Sequence, residues 1–181
     1  MNTLKKTLLS LAIVLALPSM GVAAEHDARL LMLMNLIEQV PTKAQLEAAG
    51  ATPDTLLSIA HDKSLKRYPR ARAASMIAHF DTPQARLHLA ALLQDSQIKD
   101  SEVKVQAING LVYLEGARSF ERLERLSKDV NPELRAAALR NLGRIQHPGV
   151  QGVLRNRLAD GVESVAWIKD LARRTAQRTS P

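Results

Sequence analysis

The strongest constraint on the fold is a segment that recurs along the chain. Residues 73–80 align with segments that begin at Ala107 and Ala138, at offsets of 34 and 31 residues, and a weaker copy begins at Leu171, 33 residues further on. Periods of about 20 to 50 residues are typical of repeat proteins. A second helical pattern follows each of the first three copies, and a lone helix pair leaves one apolar face uncovered, so successive pairs must stack. The sequence therefore predicts an all-α protein, a short α-solenoid of stacked antiparallel helix pairs with an N-terminal capping helix pair.

Helix-start signals divide the chain after residue 25. Thr52-Pro53, Thr82-Pro83 and Asn131-Pro132 each place a capping side chain before a proline, whose missing N–H costs nothing in the first turn of a helix. Thr42 and Gln45 have the spacing of a capping box. Between these signals, apolar residues recur at three- and four-residue intervals, as they do in amphipathic helices. The predicted helices cover residues 26–39, 42–49, 53–62, 68–80, 83–94, 101–115, 117–128, 131–145, 147–159 and 163–177.

The N-terminus has the pattern of a cleaved targeting segment. Lys5 and Lys6 precede an apolar run over residues 8–17, Pro18 ends it, and small residues follow at 22–24. A membrane-spanning helix needs roughly 20 apolar residues, so this short run favours export over a membrane anchor. We expect a periplasmic location in a bacterium, or otherwise secretion, with no transmembrane segment in the mature chain. The predicted divisions are a signal peptide at 1–24, capping helices at 25–52, a repeat solenoid at 53–178 and a tail at 179–181.

Composition narrows the chemistry and the partners. The chain has no cysteine, which excludes disulfide scaffolds, thiolate nucleophiles and cysteine-ligated metals. Without residues 1–24, which hold two lysines and no acid, 23 basic and 18 acidic residues leave a net charge of +5, which favours anionic partners. Nucleic acid is disfavoured by the export signal and by the scarcity of side chains that stack on bases. The aromatic residues are Tyr68, Phe80, Tyr113, Phe120 and Trp167.

The best copy of the repeat, residues 129–143, resembles the HEAT repeat, especially its short, phycobilisome-lyase-like variety. The resemblance covers residues 53–178, with the other copies degenerate. It implies an interaction scaffold, the role of most members. The iron-dependent hydroxylases of this family carry His-Glu dyads, and no histidine here is followed by Glu. The export signal argues against the bilin lyases and the DNA glycosylases of the family, because the lyases act inside the cell and the glycosylases act on DNA.

The repeat register predicts which side chains form the concave face of the solenoid. At 100° per residue, Leu134, Ala138, Leu142 and Ile145 share a buried stripe, while Ala137, Arg140 and Arg144 point the other way. Projection to the other copies adds Arg72, Ser75 and His79, then Gln106, Asn109 and Tyr113, then Asp170, Arg173 and Gln177. The alternative is that these are ordinary solvated helix positions. The candidate partner-binding residues are Arg72, His79, Tyr113, Arg140, Arg144 and Arg173.

Three other patterns have structural interpretations. The dipeptides His26-Asp27 and His61-Asp62 do not predict a metal site, because neighbouring side chains diverge on a helix. Asp129 and Arg135, which resemble the loop acid and helix arginine of the family, are interpreted as an ion pair between repeats. The apolar helix around Met32 and Met34 is expected to be covered as an end cap. The alternative is that these methionines dock a partner.

The functional prediction is an exported scaffold or adaptor that binds one protein partner in the cell envelope through a basic concave face. The first alternative is an accessory module that recognises an anionic lipid or polymer. The second is an enzyme of unknown reaction, which requires converging titratable groups that the register does not bring together. We predict no catalytic residue, no cofactor and no metal site.

Overall fold

The computed structural model describes residues 26–179, so the targeting segment predicted at residues 1–24 lies outside the described residues. Over this range the chain is helical and contains no strand. The helices are α1 (Ala28–Asn35), α2 (Lys43–Ala48), α3 (Pro53–His61), α4 (Arg67–Met76), α5 (Pro83–Gln94), α6 (Ser101–Glu115), α7 (Phe120–Leu126), α8 (Pro132–Leu142), α9 (Val150–Leu158) and α10 (Ala166–Thr179). Short 3₁₀ turns follow α4 at Ile77–Phe80 and α6 at Gly116–Ser119. The all-helical prediction is confirmed for these residues.

The predicted helix starts are confirmed by their caps. The side chains of Thr42, Thr52, Thr82 and Asn131 each accept a hydrogen bond from a backbone N–H in the first turn. Thr42 forms the predicted capping box with Gln45. These side chains satisfy N–H groups that have no partner within the helix, which is why the helices begin at these positions.

The first and last helices differ from the prediction. Helix α1 ends at Asn35, four residues before the predicted end, because Leu36 turns to extended backbone. The following segment runs to Pro41, and a proline disfavours helical conformation in the residue before it. Thr179, which was predicted to belong to the tail, is the last residue of α10.

The helices that carry the recurring segment pack in succession. Helix α4 packs on α6, α6 on α8, and α8 on α10. Each is also packed against the helix before it in the chain, which gives the pairs α3–α4, α5–α6, α7–α8 and α9–α10, and α1 packs on α4 at the N-terminal end. The apolar core follows this order in two clusters. Helix α6 contributes to both, with Ala107 and Leu111 in the first and Ile108 and Val112 in the second.

Two side-chain placements correct the sequence prediction. Ala137, predicted to point away from the core, is fully buried. Helix α8 is contacted by α6, α7 and α10, so its apolar surface is wider than one stripe. In α1, Met34 is fully buried while Met32 keeps 64% of its surface exposed. Met34 is therefore a core residue and is not free to dock a partner.

Among the described residues, no helix is both long enough and apolar enough to cross a membrane.

Candidate partner-binding face

Three grooves lie between the successive helices α4, α6, α8 and α10. Their volumes are about 360 Å³ between α4 and α6, 550 Å³ between α6 and α8, and 570 Å³ between α8 and α10. Arg144 lines both the second and the third groove. We call the surface that contains the three grooves the groove face. Its lining side chains include Tyr68, Arg72 and Gln106 in the first groove, Asn109, Tyr113 and Asn141 in the second, and Arg140, Arg174 and Arg178 in the third.

A chain of hydrogen bonds between side chains connects these grooves. On α6, the amide of Gln106 donates to Glu102 over 2.9 Å and accepts from Asn109 over 3.4 Å. Asn141 Nδ2 of α8 donates to Asn109 Oδ1 over 2.8 Å, and Arg144 Nη1 donates to Asn141 Oδ1 over 3.3 Å. This network orients the polar groups of the first two grooves before any partner binds. Sequence reasoning placed Asn109 and Arg144 on this face but missed Asn141, which is 1% exposed.

At the α4 end of the groove face, Arg72 is held by the chain itself. Its Nη1 donates to the Tyr68 hydroxyl over 2.9 Å, and its Nη2 donates to the carbonyl oxygen of Gln39. The Tyr68 hydroxyl in turn donates to the carbonyl oxygen of Leu36 over 2.8 Å. Arg72 therefore ties the extended segment after α1 to α4. It lines the first groove as a half-buried, already bonded cation.

His79 and Tyr113 occupy different settings. His79 lies in the 3₁₀ turn after α4, where burial lowers its pKa below the ordinary histidine value, and it lines none of the three grooves. Tyr113 lines the second groove and keeps 79% of its surface exposed. Among the described residues, neither has a polar partner whose contact would fix its side chain. Tyr113 is therefore the aromatic side chain that this face offers to a partner.

The groove between α8 and α10 is strongly basic. Its lining includes Arg140, Arg144, Arg174 and Arg178, with Leu171 and Gly143 between them and no acidic residue. A Cβ atom on Gly143 would lie 2.7 Å from Thr175 Cγ2, so glycine permits the close approach of α10 to the end of α8. Arg173, which was predicted for this face, does not line the groove; Arg174 takes that place. Arg173 pairs with Asp170 over 3.3 Å instead.

The predicted pair of Asp129 and Arg135 forms in a different way. Arg135 Nε and Nη2 donate to the two carboxylate oxygens of Glu163, each over 2.9 Å, and Arg157 Nη2 donates to Glu163 Oε2 over 2.8 Å. Arg135 reaches Asp129 only through its backbone carbonyl oxygen. Burial opposes the charge of Glu163, but the bonds from Arg135 and Arg157 outweigh it and lower its pKa to about 2. Arg135 thus joins α8 to the segment before α10.

The two His-Asp dipeptides are separated in space. His26 Nε2 lies 3.0 Å from Asp62 Oδ2, and His61 Nδ1 lies 3.3 Å from Asp95 Oδ2. The hydrogen bond from the Ser64 hydroxyl is the largest of the influences that lower the pKa of Asp62, and His26 adds to it. Within residues 26–179, no three His, Asp or Glu side chains converge to hold a metal ion. These pairs connect successive parts of the helix array.

No protein-family model matches this chain, and no curated protein matches it significantly.

Proposed function

We propose that this chain is an exported HEAT-like α-solenoid that binds a protein partner in the cell envelope through its groove face and does not catalyse a reaction. The single observation that carries the proposal is the row of three connected grooves between α4, α6, α8 and α10. Stacked helix pairs present such rows as extended binding surfaces. The offsets of the recurring segment and the successive packing of these four helices support the solenoid interpretation.

The chemistry of the groove face supports a protein as the partner. Tyrosine and arginine supply much of the binding energy in protein interfaces, and both are exposed here, at Tyr113 and Arg140. The hydrogen bonds of Asn109 and Asn141 hold the second groove in shape, so little ordering is required on binding. The alternative partner, an anionic lipid or polymer, depends on arginine alone and predicts a steep loss of binding with salt.

Photo-cross-linking tests the proposed surface. Tyr113 is replaced by benzoylphenylalanine in the full chain, expressed in its own cells, and the matched control carries the same group at Val130. Val130 is 96% exposed and lines none of the three grooves. We expect position 113 to capture one envelope protein that position 130 does not. The same set of adducts from both positions, or none from position 113, contradicts the proposal.

Binding of the captured protein then completes the test. We expect Tyr113→Ala to weaken the affinity at least about tenfold, as truncation of a central aromatic anchor does. Leu87→Ala is the control, because Leu87 is exposed on α5 and lines none of these grooves. Equal affinities for both variants contradict a role for the groove face, even if the protein is a genuine partner.

A further inference from the structure

We propose that the groove between α8 and α10 binds an acidic segment of the protein partner, with neighbouring carboxylates on Arg140, Arg144, Arg174 and Arg178. This proposal rests on the proposed function, because it assumes that the groove face receives a polypeptide. It adds the location and the chemistry of one subsite and the direction in which the segment lies.

Two helices bring these four cations together. Arg174 and Arg178 are four residues apart on α10, a spacing that places both on one side of a helix. Arg140 lies in the last turn of α8, and Arg144 follows directly after its end. All four side chains are exposed. They face one another across a groove of about 570 Å³, so an anion placed there meets guanidinium groups from both helices.

These guanidinium groups are largely unused by the fold. Within the described part of the chain, Arg140 and Arg178 form no side-chain hydrogen bond or ion pair. Arg144 makes one bond, to Asn141. Arg174 pairs with Asp170, an acid outside the groove lining that also pairs with Arg173. The groove therefore carries an uncompensated positive charge, and guanidinium groups bind carboxylates with paired, directional hydrogen bonds.

The distribution of charge along the face favours a protein segment over a uniform polyanion or a membrane. The arginines are concentrated in the third groove. The second groove continues with the amides of Asn109 and Gln146, the ring of Tyr113 and the apolar Ile145. A polypeptide can match this change from acidic to polar and aromatic, whereas a polyanion carries the same charge along its length. A membrane surface would also have to reach cations that line a recess between two helices.

Geometry sets the length of the segment. Packed helices lie about 8–10 Å apart, so α10 and α6 are separated by roughly 18 Å across α8. An extended chain advances about 3.3 Å per residue. Roughly five or six residues therefore connect an acidic pair over Arg178 with a side chain beside Tyr113.

The probe is a fluorescein-labelled nine-residue peptide with three consecutive glutamates, two glycines and then polar and aromatic residues. Its control has glutamines in place of the glutamates. Fluorescence anisotropy measures its affinity for the full chain and for the double variant Arg140→Gln with Arg178→Gln. The matched double variant is Arg118→Gln with Arg155→Gln, which removes the same charge from two exposed arginines outside the groove. Thermal melts followed by circular dichroism verify that both variants are folded.

We expect the groove variant to bind the acidic peptide at least tenfold more weakly, the matched variant to stay within twofold of the unchanged chain, and the glutamine peptide not to bind. Equal losses in both variants, or no binding of the acidic peptide, overturn the proposal. Arginine-dependent binding to vesicles with 30% phosphatidylglycerol or to heparin, at affinities above that for the peptide, also overturns it in favour of a lipid or polymer.

The two proposals fail in different ways. If the groove variant binds the protein captured at position 113 with full affinity, the groove face remains the binding surface and the acidic subsite is wrong. If position 113 captures no protein while the acidic peptide still binds through the arginines, the subsite stands as an anion site and the proposed adaptor function is wrong.

Discussion

Asn141 Nδ2 donates a hydrogen bond to Asn109 Oδ1 over 2.8 Å and so joins α8 to α6. The same nitrogen donates to the carbonyl oxygen of Ala137 over 3.0 Å, so both protons of the buried amide are used. The two residues are far apart in sequence but lie side by side at the base of the second groove. Four predictions follow from this and three other contacts.

Asn141→Ala is expected to destabilise the protein by about 1 to 3 kcal/mol, because Asn109 loses its donor in a partly buried place. Urea unfolding of the variant and the unchanged chain measures the difference. Asn156→Ala, at an exposed position on α9, is the control and is expected to stay within about 0.5 kcal/mol. Similar losses for both would show that the Asn109–Asn141 bond contributes no net stability.

Glu163 is expected to make stability depend on acid pH. Its folded-state pKa of about 2 lies below the ordinary value of 4.5, so its stabilising contribution is present above pH 4.5 and is lost as the pH falls towards 2. The expected loss is on the order of 2 kcal/mol.

The control for this pH dependence is Glu163→Gln, which cannot ionise. At pH 7 it should be less stable by about 3 to 5 kcal/mol, because Arg135 and Arg157 lose their charged partner. Unfolding free energies measured from pH 7 to pH 2 should converge for the two proteins. A constant gap over this range would contradict a native ion pair at Glu163.

Gly143→Ala should cost about 1 to 3 kcal/mol, because the new methyl group would lie 2.7 Å from Thr175 Cγ2 and must displace it. Thr175→Ala removes that obstacle, so in its background the cost of Gly143→Ala should fall by at least half. Gly152→Ala on α9 is the matched control: nothing lies within 4 Å of the new Cβ, and we expect a gain of about 0.5 to 1 kcal/mol. Chemical denaturation of the four variants completes the cycle, and equal costs in both backgrounds would refute the predicted contact.

Met34→Glu should unfold the protein or destabilise it by more than about 4 kcal/mol, since it places a carboxylate in a fully buried position. Met32→Glu, two residues away and 64% exposed, is expected to change stability by less than about 0.5 kcal/mol. Thermal melts compare the two. A folded Met34→Glu protein of normal stability would mean that α1 does not pack as described.

The candidate site was predictable in part. The repeat register identified Tyr113, Arg140 and Arg144 as residues of one face, and all three line the second or third groove. It selected Arg173 where the groove uses Arg174, because a projection of 100° per residue accumulates error over a degenerate copy. Arg178 has no counterpart in the copies from which the register was taken. A scan for arginines four residues apart on the last helix would have found it.

The sequence by itself determined the helical class and the helix starts between residues 26 and 179. Capping threonines, prolines in the first turn and three- to four-residue apolar spacing act within a few residues, so the printed sequence contains the whole interaction. Tertiary structure decided which faces of those helices were covered. Ala137 and Asn141 are buried because α8 is contacted by three other helices, and Arg135 bonds with Glu163, 28 residues away, instead of the neighbouring Asp129 carboxylate. Such contacts depend on the spatial positions of distant segments, which no local pattern specifies.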